Sequence, residues 1–145
     1  MEQAIYDSTF NEMTRGPLTV TQRQLRRRCT VAEINAGVTL LPAVPGRAYR
    51  LLDAAMIAVG GAVTGATDVR ILGTRAAGSV ALLVVAVAAL TQSALVRAGA
   101  ANATILADGA SFTPLDANTA VTAGKTGGAA ATATHVDVIL TYALE

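Results

Sequence analysis

The stretch Thr132–Ala133–Thr134–His135–Val136–Asp137–Val138–Ile139–Leu140–Thr141–Tyr142–Ala143–Leu144 alternates between two kinds of side chain. Val136, Val138, Leu140, Tyr142 and Leu144 fall on one side, and His135, Asp137, Thr141 and Ala143 on the other. Ile139 is the one large apolar residue on the second side. A period of two over this length fits a half-buried strand and not a helix, whose apolar residues recur every three or four. The alternation runs to the end of the chain, so the last segment reads as part of a sheet.

Upstream the texture is the same back to Gly37. Val38–Val44 is apolar and ends at Pro45–Gly46, a turn signal. Arg47–Val59 puts Tyr49, Leu51, Ile57 and Val59 on one face, and Asp68–Leu72 alternates Val69 and Ile71 with Asp68 and Arg70. Val80–Val87 reads as a strand apolar on both faces, and Leu95–Ala101, Ala103–Leu106 and Thr119–Ala123 as shorter ones. Gly60–Thr67 reads as a small-residue loop and Gly124–Ala130 as a flexible hairpin tip. Many short strands with Gly, Pro and Asn between them predict an all-β fold, a jelly-roll-like β-sandwich over residues 37–145.

Met1–Ala36 has a different character. It holds nine of the chain's 21 charged residues, and Gly16–Pro17 interrupts it. Gln22–Arg28 reads as a short polar helix, and Thr30 with Glu33 three residues on as a capped turn. The segment is expected to be an extended N-terminal arm ordered by contact with something else. Its arginines, Arg15, Arg23, Arg26, Arg27 and Arg28, contrast with the acidic end beyond Arg97, where Lys125 is the one basic residue. Such asymmetry favours docking between copies or onto an acidic surface. The first fifteen residues hold no apolar signal core, so synthesis in the cytoplasm is expected.

Ala76–Val96 is 21 residues without a charge, enough for a membrane helix. Gly78, Ser79, Thr91, Gln92 and Ser93 shorten its apolar centre, and Val80, Val84, Val85 and Val87 favour a strand. No membrane span is therefore expected. Val80, Leu82, Leu83, Val84, Val85 and Val87 are instead expected to help form a subunit interface, one face of the strand meeting the core and the other a neighbouring copy. The core is aliphatic. The chain is 52% hydrophobic with 3% aromatics and no Trp, so each buried side chain contributes less than a Phe or Trp would.

Residues able to do chemistry are few. The one His and one Cys cannot build a zinc site or an internal disulfide. Cys29 follows three arginines, which favour a thiolate, but a half-buried small residue is the simpler reading. His135 and Asp137 share a strand face without a third group. Asp108, Asp116 and Asn118 lack the spacing of a calcium loop, and Gly124–Lys125–Thr126 lacks the upstream glycine of a phosphate-binding loop, Thr119 standing in its place. The arginine run has no interleaved aromatics for single-stranded nucleic acid. No enzyme activity, small-molecule substrate, cofactor or metal is expected.

Leu40–Pro42 with Pro45–Gly46–Arg47, Asp53–Gly61, Leu95–Ala100, Asn102–Gly109 and Thr134–Val138 together resemble a family of small tailed-bacteriophage virion proteins, the capsid decoration or cement proteins. The resemblance covers residues 38–145. It implies a β-sandwich, commonly a homotrimer, on the virion capsid surface, binding the major capsid protein and tying neighbouring capsomers together without catalysis. A virion fibre or glycan-binding head exposing Gly60–Thr67 and Gly124–Ala130, and a single-span membrane protein, are the alternative readings.

Overall fold

The final strand forms as its alternation predicts. It is β9 (His135–Leu144) in a computed structural model that describes residues 22–145. Val136, Val138 and Leu140 are at most 1% exposed and face the interior. The other strands are β1 (Gln22–Thr30), β2 (Val38–Leu41), β3 (Tyr49–Val59), β4 (Val63–Arg75), β5 (Gly78–Ala86), β6 (Leu95–Arg97), β7 (Ala103–Ile105) and β8 (Val121–Thr132). One helix, α1 (Val31–Ala36), follows β1. Strands β1-β9-β3-β6 make one antiparallel sheet and β2-β8-β4-β5-β7 the second. The two sheets pack as a β-sandwich over one aliphatic core. Met56, Val138 and Leu140 enter it from the first sheet, and Val69, Ile71, Leu83 and Val85 from the second, all fully buried.

The arm boundary expected at residue 36 moves. Gln22–Thr30 is not a polar helix but an edge strand, paired with β9 over nine consecutive positions from Gln22↔Ala143 to Thr30↔His135. Intrinsic preference in this polar segment is weak, and pairing overrides it. Leu25 and Cys29 turn inward while Gln24, Arg26 and Arg28 turn outward, a period of two hidden by the similar polarity of both faces. The capped turn at Thr30 forms as read. The Glu33 N–H donates to Thr30 Oγ1 at 3.1 Å, and the Thr30 N–H donates to Glu33 Oε2 at 2.8 Å. Residues 22–36 thus belong to the sandwich. The expectations for Met1–Thr21, Arg15 among them, lie outside the described residues.

The loops predicted at Gly60–Thr67 and Gly124–Ala130 are largely strand. Only Gly60 to Ala62 lies outside β3 and β4, and β8 runs unbroken through Gly124 to Thr132. Glycine makes this possible. Gly65 (φ 86°) sits where β4 shifts register against β8, and a Cβ there would meet the Ala129 carbonyl oxygen. Two register shifts between Thr64 and Asp68 absorb the mismatch. Small residues read as flexibility were instead close approach between strands.

The uncharged stretch at 76–96 is not a helix. It comprises the Ala76–Ala77 turn, β5, a 3₁₀ turn at Val87–Ala89 and the start of β6. No helix of the described residues is long and apolar enough to cross a membrane. The candidate acidic loop residues serve as caps. Asp116 accepts the N–H groups of Ala76 and Ala77 at 3.1 and 2.8 Å, and Asn118 Oδ1 accepts that of Gly46 at 2.6 Å.

Ser111 joins two segments from inside. It is wholly buried, accepts the Leu106 N–H at 2.8 Å and donates to the Leu82 carbonyl. Ser111→Ala strands both partners out of water and is expected to cost about 1–3 kcal/mol. Urea titration of the variant measures it, and a cost below about 0.5 kcal/mol would mean that water or neighbours satisfy both groups.

Candidate functional site

The outward face of the β1-β9-β3-β6 sheet is where chemistry-bearing side chains converge. Strand register sets them in rows. Arg26, Ile139, Ala55 and Arg97 form one row across the four strands, and Arg28, Asp137, Ile57 and Leu95 the next. Each row begins on the edge strand with a guanidinium, and both pass through apolar groups at the middle of the sheet.

The Asp137 carboxylate is 1% exposed although it lies on the outward face. Two arginines of β1 cover it. Arg28 donates through Nε to Oδ1 at 2.8 Å and through Nη2 to Oδ2 at 3.0 Å, and Arg26 Nη2 donates to Oδ2 at 3.0 Å. The side chains of Arg26 and Arg28 remain 63% and 54% exposed. The carboxylate is therefore buried and the cations are not. The hydrogen bonds from Arg28, with smaller help from Arg26, hold Asp137 below the usual carboxylate range against the opposing effect of burial. The clamp fastens β1 to β9 and leaves one net positive charge on the outward edge. A similar pair sits on the other sheet, where Arg70 holds Asp68 low by hydrogen bonding.

Arg27 points the other way. It donates to Glu33 Oε1 at 3.1 Å and to the Thr39 carbonyl on β2 at 2.6 Å, closing the rim between the sheets. Arg23 is exposed at the start of β1. Of the five arginines expected to contact a capsid, Arg26 and Arg28 present charge on the outward face, Arg23 is exposed but lies on the opposite face of β1 with Leu25 and Cys29, Arg27 is turned to the rim, and Arg15 lies outside the described residues. Cys29 is fully buried, and that burial raises its thiol pKa, outweighing the arginine beside it.

The expected interface residues on β5 divide. Leu82, Leu83 and Val85 are 0% exposed and belong to the core. A register shift between Ile71 and Leu72 gives β5 an extra residue, and Leu82 and Leu83 both end up buried. Val80, Val84 and Val87 are partly exposed, and of these Val80 and Val87 also pack against the core while Val84 does not.

His135 stands beside Thr134 Oγ1 at 3.0 Å, and its neighbour Asp137 is engaged by β1. No cluster of three or more His, Cys, Asp or Glu side chains able to hold a metal occurs among the described residues. Sequence reasoning placed Asp137 on an exposed face and the arginines on a partner. The alternate spacing of Arg26 and Arg28 against the alternate spacing of β9 was the signal that joins them. Comparison of the chain with protein-family models, with curated proteins and with solved structures gives no match in any of the three.

Proposed function

We propose that this chain is a capsid decoration protein of a tailed bacteriophage, a non-catalytic, jelly-roll-like trimer. It binds the outside of the head through the major capsid protein and ties capsomers together. The observation that carries the reading is the arginine edge. Arg26 and Arg28 lie on the outward face of a nine-residue edge strand, fixed in place by the Asp137 clamp, and Arg23 is exposed near the start of the same strand. An edge strand with exposed cations suits an acidic protein surface, and repeated attachment makes modest single contacts cooperative.

Strand order supports the jelly-roll part of the reading. With β7 set aside, the remaining eight strands run in sheet orders 1-9-3-6 and 2-8-4-5. These correspond to the BIDG and CHEF sheets of a jelly roll. The partly exposed Val80, Val84 and Val87 are the proposed contact between copies. The loops on which a glycan-binding head would depend are largely paired strand, so that alternative is not carried further.

Co-sedimentation with undecorated phage heads tests the proposal. The truncation ends at Thr21, because β1 begins at Gln22. Purified chain is expected to bind and to weaken as salt rises, since exposed charges are screened beyond about 10 Å at 0.1 M. Arg23→Glu and removal of residues 1–21 both spare the clamp, and each is expected to reduce binding about tenfold or more, the equivalent of one lost charged contact. Binding indifferent to salt and to both changes, or no binding at micromolar concentration, would contradict the proposal.

A further inference from the structure

β1 is attached to the sandwich differently from the strand it pairs with. Among the described residues β9 is its one strand neighbour. Of its nine residues only Cys29 is buried, Leu25 and Arg27 are half-buried and the other six are exposed. β9, by contrast, sinks Val136, Val138 and Leu140 to 1% exposure or less. Little apolar surface would therefore return to water if β1 left. Besides backbone pairing, the strand is held by charged contacts. Arg26 and Arg28 grip Asp137, and Arg27 reaches Glu33 and the Thr39 carbonyl. The exposed guanidiniums rehydrate on release, and the freed residues regain the conformational freedom that folding took from them.

Beyond Thr30 the attachment changes in kind. Ile34 of α1 is 1% exposed. Asn35 Nδ2 donates to the Ala130 carbonyl at 3.0 Å, and the Ala130 N–H donates back to Asn35 Oδ1 at 2.7 Å. The Val31 N–H donates to the Thr134 carbonyl at 3.3 Å. Apolar burial and paired backbone groups thus pin α1 to β8 of the second sheet. The border between the lightly and the firmly held chain falls at Thr30, the cap of α1.

We propose that β1 is a releasable strap latched by the Asp137 clamp. Gln22–Thr30 leaves β9 as a unit while α1 and the other eight strands stay folded. The opening bares the outer edge of β9, the Asp137 carboxylate and the Cys29 thiol. Openings of this kind occur at a cost below that of global unfolding, and they concentrate where buried apolar contacts are few. The strap is independent of the proposed capsid role.

The native thiol reports the opening in the full chain. Cys29 is the chain's one cysteine and is 0% exposed, so a thiol reagent reaches it only from an open state. Labelling at fixed pH gives the opening constant, and urea unfolding gives the global one. Cys29 is expected to be open about a hundredfold or more often than the domain is unfolded. Its labelling rate should rise with urea at only about a tenth of the global slope, because the slope follows the surface exposed and β1 is nine of residues 22–145. Two variants separate the strap from the core. Leu82→Ala, on the second sheet, is expected to lower the folding equilibrium constant more than a hundredfold and to leave Cys29 labelling in water within about twofold. Arg28→Ala, which removes two hydrogen bonds to Asp137, should speed the labelling about tenfold. Labelling that follows the full global slope, or that Leu82→Ala speeds by the factor it takes from stability, would overturn the strap. Labelling unchanged by Arg28→Ala would overturn the latch.

Discussion

Replacing Arg26 and Arg28 together by alanine is expected to destabilise the domain by about 3 kcal/mol at neutral pH. Both changes remove exposed side chains, which ordinarily cost little. Here they strip every side-chain donor seen on Asp137, a carboxylate 1% exposed. The value is at the low end for breaking a buried pair, because the shortened side chains admit water to the anion. Asp137→Ala is expected to cost less, about 1–2 kcal/mol, since the released guanidiniums rehydrate. Adding Asp137→Ala to the double variant should restore part of the loss, the coupling that a mutant cycle isolates.

The pH dependence has a definite sign. In the native protein Asp137 is held below its ordinary value, chiefly by Arg28. Its contribution is present above the unfolded carboxylate value near 4 and is lost as pH falls through the lower folded value. Asp68 adds to the loss in the same direction. In the Arg26→Ala/Arg28→Ala variant the Asp137 pKa is expected to rise, so the gap between native and variant narrows in acid. Urea unfolding at pH 7 and pH 3 measures both. A neutral-pH cost under about 1 kcal/mol would show that the arginines do not anchor β1.

Leu82→Ala and Val84→Ala make the second large contrast, two positions apart on one strand. Leu82 is wholly enclosed between the sheets, and its truncation is expected to cost about 3–4 kcal/mol through lost burial and the cavity left behind. That corresponds to a fall of roughly 10 °C in Tm for a domain of this size. Val84 is paired with Arg70 on β4 and Thr104 on β7, on the outward face. Its truncation is expected to cost under about 1 kcal/mol in the monomer. Val84→Arg should instead lower the oligomeric mass seen by light scattering if this face meets another copy. Equal thermal losses for Leu82→Ala and Val84→Ala would contradict the division of β5 into a core side and an outer side.

The strands easiest to read were those with one apolar and one polar face. β9 and the middle of β4 carry their burial in plain alternation, so their existence and inner faces follow from sequence. β1 was hidden because both its faces carry polar residues. Its strand character comes from β9, and above all from Asp137, which lies 109 positions from Arg28. No local rule sees across that distance. β8 was cut in two for the opposite reason. Gly124, Gly127 and Gly128 signal a turn in isolation, and only the register shifts of β4 reveal that they allow two backbones to approach. The site was half legible. Exposed arginines in the N-terminal part of the chain followed from composition, whereas the buried carboxylate beneath two of them needed the sheet.

Imaging of undecorated heads with and without saturating protein is the most direct measurement of the proposed role. Added density is expected on the outer surface at local symmetry axes, with the β1 edge turned toward the shell. Shells that remain bare, or density attached by the opposite sheet with Arg23, Arg26 and Arg28 facing solvent, would contradict it.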